Sequence, residues 1–181
     1  MSILNIEDSL ILIIDIQEKL LNAAFNKEQL LKNAAILTKT GKILNIPTIA
    51  TEQYPNGLGN TVNNLKNELS ENNIFEKISF SALDNKEIDT KIKEFNKKQI
   101  IIYGIETHIC VNQTASALID RNYEVYIIQN ACGSRTEENH NAGLARMKGN
   151  GAKIVTSEIA VFEWLKSAKH PNFKEIQALI K

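Results

Sequence analysis

Apolar and polar residues alternate along this chain in blocks that predict strands and helices in turn. Residues 9–14 and 100–103 form continuous apolar runs, which are typical of strands covered on both faces. Shorter β-rich segments predict four more strands, at residues 47–51, 74–78, 124–128 and 153–156. Apolar positions at helical spacing predict helices at residues 28–44, 64–69, 86–95, about 108–121 and 137–148, with two short helices in the tail, 157–181.

This alternation predicts right-handed βαβ units, and therefore an α/β fold with a parallel sheet and helices on both faces. No internal repeat, low-complexity tract or linker divides the 181 residues, so a single domain spanning residues 1–181 is expected. In such sheets ligands bind beyond the carboxyl ends of the strands, where the strand order reverses. The ends of the predicted strands are therefore the expected place for functional residues.

Composition and charge remove several functional classes. The 21 basic and 21 acidic residues balance and are scattered, so nucleic acid is not an expected partner. No apolar run approaches the roughly 20 residues of a membrane span, and no basic region precedes an apolar signal core, so no membrane partner is expected. Cys110 and Cys132 lie too far apart in sequence to indicate a disulfide framework or a metal knuckle. A cytoplasmic location is the resulting expectation.

Three chemically capable residues are expected at the ends of predicted strands: Asp15, Lys77 and Cys110. Each has an ordinary structural alternative, as a turn or capping residue, a solvated lysine and a small buried residue. Together they would supply a nucleophile, a carboxylate that takes its proton, and a cation that holds the carboxylate charged. Because Cys110 is expected in the first turn of a helix, the helix dipole and Lys77 should lower its pKa, against the opposing charge of Asp15.

Three separated blocks of sequence resemble the isochorismatase-like cysteine hydrolases. They are residues 10–17 with Asp15, Lys77 before residues 78–80, and residues 104–111 with Cys110. The resemblance runs from the first strand to the region of Trp164. Residues 51–59 and 130–135 are similar to the isochorismatase domain-containing protein branch, with Asn130 where an aspartate is usual.

The resemblance implies a three-layer α/β/α fold with a six-stranded parallel sheet in the order 3-2-1-4-5-6. Cys110 would be the nucleophile, Asp15 the general base and Lys77 the orienting cation. The peptide bond Ile105–Glu106 occupies the place of the family's cis peptide, and the backbone N–H groups of Glu106 and Cys110 would form an oxyanion hole. The resemblance also implies a homo-oligomer, a dimer or larger.

The same reasoning proposes contacts to a small-molecule substrate. The candidates are side chains of the predicted strand ends and loops, namely Gln17, Glu52, Tyr54, Phe80 and Arg135. The related nicotinamidases carry metal-binding histidines after the second strand, whereas this chain has none there. The three histidines, His108, His140 and His170, show no metal-ligand spacing and are expected to be structural. No metal or cofactor is therefore expected, and nicotinamidase activity is disfavoured.

Two functional hypotheses remain. The first is a hydrolase that attacks a small amide or related C–N substrate through a covalent Cys110 intermediate. The second is a catalytically silent or redox-responsive protein, in which Cys132 would be the resolving thiol. The carboxylate–lysine pairing favours the hydrolase, because a redox sensor needs no general base. A true isochorismatase is disfavoured, since vinyl-ether hydrolysis does not obviously need Cys110.

Overall fold

The computed structural model describes residues 3–181, which contain a six-stranded sheet of parallel strands in the order β3-β2-β1-β4-β5-β6. The strands are β1 (Ser9–Ile14), β2 (Thr48–Gln53), β3 (Ile74–Lys77), β4 (Gln99–Ile105), β5 (Glu124–Gly133) and β6 (Lys153–Val155). The predicted α/β fold and its strand order are confirmed.

Helices connect the strands. They are α1 (Glu18–Ala23), α2 (Lys27–Ile43), α3 (Pro55–Leu58), α4 (Asn63–Lys66), α5 (Lys86–Phe95), α6 (Asn112–Ile119), α7 (Glu137–Gly149), α8 (Ser157–Leu165) and α9 (Phe173–Ile180). Each predicted helix is present with small shifts at its ends. Two helices are absent from the sequence prediction: α1, and α3, which is one short turn inside the loop after β2.

The helices flank the sheet in two groups. On one side α2 packs against β4 and β5 and also contacts α1, α8 and α9. On the other side α6 contacts α7 and β5. A 3₁₀ turn, Ala82–Asp84, precedes α5 and packs against both α5 and α6. Every residue of β1 and β4 is buried, as their continuous apolar runs predict for central strands.

The strand order reverses between β1 and β4. From β1 the chain moves outward through β2 and β3, whereas from β4 it moves the other way through β5 and β6. The carboxyl ends of β1 and β4 therefore border the crevice where a ligand is expected in this class of sheet.

Among residues 3–181, none of the helices has both the length and the apolar character that crossing a membrane requires.

Candidate functional site

Asp15 is held in an unusual backbone conformation directly after β1. Its φ of 50° lies in the left-handed region, which costs a non-glycine residue energy and persists only where the surrounding structure imposes it. The backbone N–H of Asp15 donates to the carbonyl of Thr51 on β2 at 3.2 Å, and the Thr51 hydroxyl donates to Asp15 Oδ1 at 2.6 Å. Asp15 is fully buried, so β2 fixes both its backbone and one carboxylate oxygen.

Lys77 ends β3 and reaches the other oxygen of the same carboxylate. Its Nζ donates to Asp15 Oδ2 at 2.7 Å, to Gln53 Oε1 at 2.7 Å and to the carbonyl of Ser79 at 3.3 Å. Each of the three ammonium protons thus has an acceptor. Both side chains of the ion pair have 0% exposure, and these hydrogen bonds offset the cost of burying two charges.

Cys110 reaches the same place from β4 through a close crossing of the backbone. Gly104 has a φ of 140°, and a Cβ at this position would lie 1.9 Å from the carbonyl oxygen of Ile14, so only glycine fits. The next peptide bond, Ile105–Glu106, is cis. The chain then enters a π-helical turn, Thr107–Val111, which carries the cysteine.

The structure refines the predicted position of Cys110, which lies in this π-helical turn and not in the first turn of α6. The carbonyl of Glu106 accepts from the N–H of Ile109 at 3.0 Å and from that of Val111 at 3.3 Å. The second of these bonds spans five residues, the spacing of a π-helix. Single π-helical turns are frequent at functional sites, where they change the direction of a side chain.

Burial raises the pKa of the Cys110 thiol to about 12. The charge of Asp15 and a side-chain hydrogen bond with it also raise this pKa, whereas Lys77 lowers it through its charge and a hydrogen bond. The prediction of a lowered pKa is therefore wrong, because desolvation and the carboxylate outweigh the lysine. At rest the site holds a protonated thiol beside a carboxylate that accepts hydrogen bonds.

Arg135 lies beside the turn because β5 pairs with β4 as far as Gly133, which faces Ile105. Glu106 Oε1 accepts from the backbone N–H of Arg135 at 3.2 Å and from its Nε at 3.0 Å. The Glu106 side chain is 13% exposed and that of Arg135 62% exposed. The ion pair thus places a cation at the solvent-facing side of the residue that follows the cis peptide.

The four other proposed substrate contacts divide into two kinds. Gln17 and Glu52 are buried and already engaged: Gln17 bonds the backbone of Gln53 through both ends of its amide, and Glu52 accepts from the N–H of Thr61 at 2.6 Å. Tyr54 and Phe80 are about half exposed. Tyr54 lines a cavity of about 300 Å³ together with Lys77. Gln17 and Glu52 support the loop after β2, while Tyr54 and Phe80 remain open to a ligand.

Comparison with known proteins assigns the chain to a family. A model of the isochorismatase domain matches residues 9–159. The chain belongs to the isochorismatase family. Its fold is that of the isochorismatase-family hydrolases, and the predicted resemblance is confirmed.

Relatives of this isochorismatase-family chain extend over nearly its whole length. Isochorismatase domain-containing protein 2 of Rattus norvegicus is 37% identical, over 97% of this chain and 82% of the relative. The structure of MAR1 ribonuclease from Caenorhabditis elegans is 35% identical, with a TM-score of 0.93, over 99% of this chain and 92% of that one. The ycaC gene product of Escherichia coli, described as an octameric hydrolase of unknown specificity, is 24% identical with a TM-score of 0.90, over 98% and 96% of the two chains. This last likeness concerns the fold alone.

Several residues around Asp15, Lys77 and Cys110 are not predicted by the sequence. Thr51 bonds Asp15, and Gln53 bonds Lys77. The two lie two positions apart on the strand that pairs with β1, so they point to the same side of the sheet, and this spacing is the sequence signal that could have indicated them. Thr107 Oγ1 lies 2.9 Å from His140 Nδ1, although 33 positions separate the two residues in sequence. No local pattern predicts such a pair.

No metal site emerges in the part of the chain that the structure describes, residues 3–181: no group of three or more His, Cys, Asp and Glu side chains is placed to share an ion. Glu52 and Gln53, the last two residues of β2, are engaged in the hydrogen bonds described above. The expected independence from metal stays a prediction.

Proposed function

We propose that this isochorismatase-family protein is a cysteine hydrolase that cleaves a small amide, or a related C–N bond, through a covalent Cys110 intermediate. The observation that carries this proposal is the sharing of one buried carboxylate. Asp15 accepts hydrogen bonds from Lys77 and Thr51 and also acts on the Cys110 thiol. A nucleophile, a proton acceptor and a cation in contact make up a constellation for nucleophilic catalysis.

The first step joins the thiol to the substrate. Cys110 Sγ bonds to the carbonyl carbon while the thiol proton passes to Asp15, so no free thiolate has to accumulate. This coupling suits a thiol with a pKa of about 12, which is almost entirely protonated near neutral pH. The carbonyl π electrons move to oxygen, where the backbone N–H groups of Glu106 and Cys110 would stabilise the negative charge.

Collapse of this intermediate breaks the C–N bond. The leaving amine takes the proton from Asp15, and a thioester remains on Cys110. A water molecule then attacks the thioester carbon and gives a proton to Asp15, which returns it to the sulfur as the acid product leaves. Lys77 keeps its hydrogen bonds to Asp15 and Gln53 throughout, and so holds the carboxylate in one orientation.

The proposed substrate contacts include Arg135, Tyr54 and Phe80. The exposure of these three side chains supports this part of the proposal. Gln17 and Glu52 would act on the substrate only through the loop that they hold. The proposal includes a homo-oligomer, as the family resemblance implies; the E. coli protein that shares the fold is described as octameric.

A screen of small amides and ureides, followed by the release of ammonia or amine, tests the proposal. Cys110→Ala is the blank and Cys132→Ala the matched control. Turnover that disappears in the blank, survives in the control and leaves an acyl adduct on Cys110 by mass spectrometry is the expected result. Turnover that persists in Cys110→Ala would overturn the covalent mechanism. Rapid formation of a Cys110–Cys132 disulfide with peroxide, without turnover, would favour a redox-responsive protein.

Ribonuclease activity is the second candidate, because the C. elegans relative at 35% identity carries that name. The balanced charge of this chain offers little attraction for a phosphate backbone. The same three proteins incubated with single-stranded RNA decide between the two candidates. RNA cleavage by wild type that is absent from Cys110→Ala would replace the amidase proposal.

A further inference from the structure

Helix α7 makes direct backbone contact with the turn that carries Cys110. Gly143 is buried, and a Cβ at this position would lie 2.9 Å from His108 Cα and 3.0 Å from His108 N. A side chain at residue 143 would therefore push α7 away from Thr107–Val111. Close packing of this kind makes the position of the turn depend on the position of α7.

One turn earlier on the same face of α7, His140 forms a polar contact with the same segment. Its Nδ1 lies 2.9 Å from Thr107 Oγ1, with Thr107 fully buried and His140 8% exposed. Thr107 is the first residue of the π-helical turn and lies three positions before Cys110. The hydroxyl and the imidazole thus connect α7 to the start of the turn.

The His140 imidazole is also packed against a residue that belongs neither to α7 nor to the π-helical turn. The Phe25 ring packs against His140 with 5.6 Å between ring centroids, and the Phe25 N–H donates to the carbonyl of Ser134 at 3.0 Å. Ser134 follows β5 and makes a second tether, because its Oγ lies 3.0 Å from His108 Nδ1. Two neighbouring residues of the turn are therefore held by two different elements.

We propose that Thr107 and His140 are positioning residues, whose hydrogen bond fixes the π-helical turn so that the Cys110 thiol stays against Asp15. This inference rests on the proposed function. Neither residue is placed at the reacting atoms, so each acts through the position of Cys110. A displacement of about 1 Å at a nucleophile can slow a reaction by about a hundredfold. The hydrogen bond would therefore influence turnover more than substrate affinity.

Substitutions that differ by one functional group test this assignment. Thr107→Val removes the hydroxyl and keeps the shape, whereas Thr107→Ser keeps the hydroxyl. Likewise His140→Leu removes the polar atom, whereas His140→Asn retains one where Nδ1 lies. Thr38→Val is the control for loss of a buried threonine hydroxyl, because Thr38 Oγ1 lies 2.9 Å from Tyr103 Oη, away from the turn.

Three measurements are compared: kcat and KM for the substrate found in the screen, the rate of Cys110 alkylation by iodoacetamide, and the midpoint of thermal unfolding. We expect Thr107→Val and His140→Leu to lower kcat by about ten- to a hundredfold while KM stays within about twofold. Thr107→Ser and His140→Asn should restore most of kcat. Thr38→Val should lower the unfolding midpoint without this loss of kcat.

Alkylation should move in the opposite direction to turnover. A turn released from α7 exposes a thiol that is only 6% exposed and weakens the effect of Asp15 that raises its pKa. We expect at least about threefold faster alkylation in Thr107→Val than in Thr107→Ser. The double variant Thr107→Val/His140→Leu should resemble the single variants, since both remove one interaction.

Equal kcat and equal alkylation in Thr107→Val and Thr107→Ser would overturn the assignment. So would a loss of kcat that follows the unfolding midpoint equally in all variants, Thr38→Val included. The proposed function fails separately, if wild type hydrolyses no amide. In that case the alkylation rates alone still confirm or contradict the role of the Thr107–His140 contact.

Discussion

Cys110 and Cys132 are both free and buried, at 6% and 0% exposure, and burial raises the pKa of each thiol to about 12. Their surroundings nevertheless differ. Cys132 lies on β5 opposite Gly104, and a hydrogen bond from the backbone of Gly104 lowers its pKa, in opposition to the larger effect of burial. Cys110, in contrast, contacts the ion pair of Asp15 and Lys77, and Asp15 is the proposed acceptor of its proton.

This difference shows that a lowered pKa is not what distinguishes the proposed nucleophile. Two thiols with similar raised pKa values differ in whether a proton acceptor lies beside them. In the proposed mechanism, the attack of Cys110 on substrate and the loss of its proton therefore occur together. In the Cys132 region the same proton would have to leave for solvent from a fully buried site, so Cys132 is expected to be a packing residue.

The largest expected effect follows from exchanging the two cysteines for alanine. Cys110→Ala should lower turnover by about a thousandfold or more, because no other group replaces the attacking sulfur. Cys132→Ala should keep turnover within about threefold of wild type, since it removes only a small packed group. Steady-state rates of amine release, with circular dichroism as the folding control, measure this contrast. Equal losses in the two variants would remove the distinction between the regions.

Asp15→Asn should separate the proposed proton-accepting role of the carboxylate from its effect on the pKa of the Cys110 thiol. Turnover should fall by about 10²- to 10⁴-fold, because the amide cannot accept the thiol proton. Alkylation of Cys110 by iodoacetamide at pH 7 should become faster, because the carboxylate that raises the thiol pKa is gone while Lys77 remains. Mass spectrometry of timed samples gives the rate, with Cys132 as the internal reference. Slower alkylation in this variant would contradict the described balance of charges.

Much of this fold follows from sequence patterns, because they arise from burial. The apolar runs of β1 and β4 correctly predicted strands covered on both faces, since such strands carry no polar alternation. The order of the strands in the sheet was implied by the family resemblance and not by these patterns. The end of β5 was missed because Gln129 and Asn130 interrupt its apolar pattern. Pairing of Gly133 with Ile105 extends that strand, and pairing between distant segments leaves no local signal.

The site was predictable in its members but not in its energetics. Asp15, Lys77 and Cys110 were expected at strand ends, and the structure brings them into contact. The direction of the Cys110 pKa shift was wrong, because a helix start can be inferred from sequence whereas the degree of burial cannot. The Thr107–His140 contact was not foreseen, since it depends on how α7 packs against the turn.

Lys77→Met should produce the largest loss of stability, because it leaves the buried Asp15 carboxylate without its cation. Breaking a buried ion pair costs about 3–5 kcal/mol, measured as the free energy of unfolding in urea. Lys93→Met is the matched control: Lys93 Nζ lies 2.7 Å from Asp89 Oδ2, but its side chain is 60% exposed. That variant should lose only about 0.3–0.5 kcal/mol. Similar losses of unfolding free energy in both variants would show that the buried ion pair contributes no more to stability than the exposed one.

The pH dependence of alkylation should reveal that both thiols have raised pKa values. Thiolate is the reactive form, so each rate should rise about tenfold per pH unit from pH 6 to pH 9. No plateau is expected in this range, since both pKa values are about 12. Cys110, which is slightly exposed, should react faster than Cys132 at each pH value. A plateau for Cys110 near pH 7 would indicate a lowered pKa and contradict the description of its surroundings.

The smallest expected effect is the contribution of His140, which packs against the turn that carries Cys110, to the pH dependence of the free energy of unfolding. Burial lowers the pKa of His140, and the charge of Glu137 offsets this only in part. His140 is therefore neutral in the folded protein at pH values where the unfolded chain, with a pKa near 6.5, already binds a proton. The free energy of unfolding should fall as the pH is lowered through 6.5, because the unfolded state then binds more protons. His140→Asn keeps a polar atom for Thr107 but does not titrate, so its urea unfolding at pH 7.5 and at pH 5.5 should differ less than that of wild type. This difference in pH dependence between His140→Asn and wild type should be well below the loss of stability expected for Lys77→Met. An identical pH dependence of the two proteins would mean that His140 does not titrate as described.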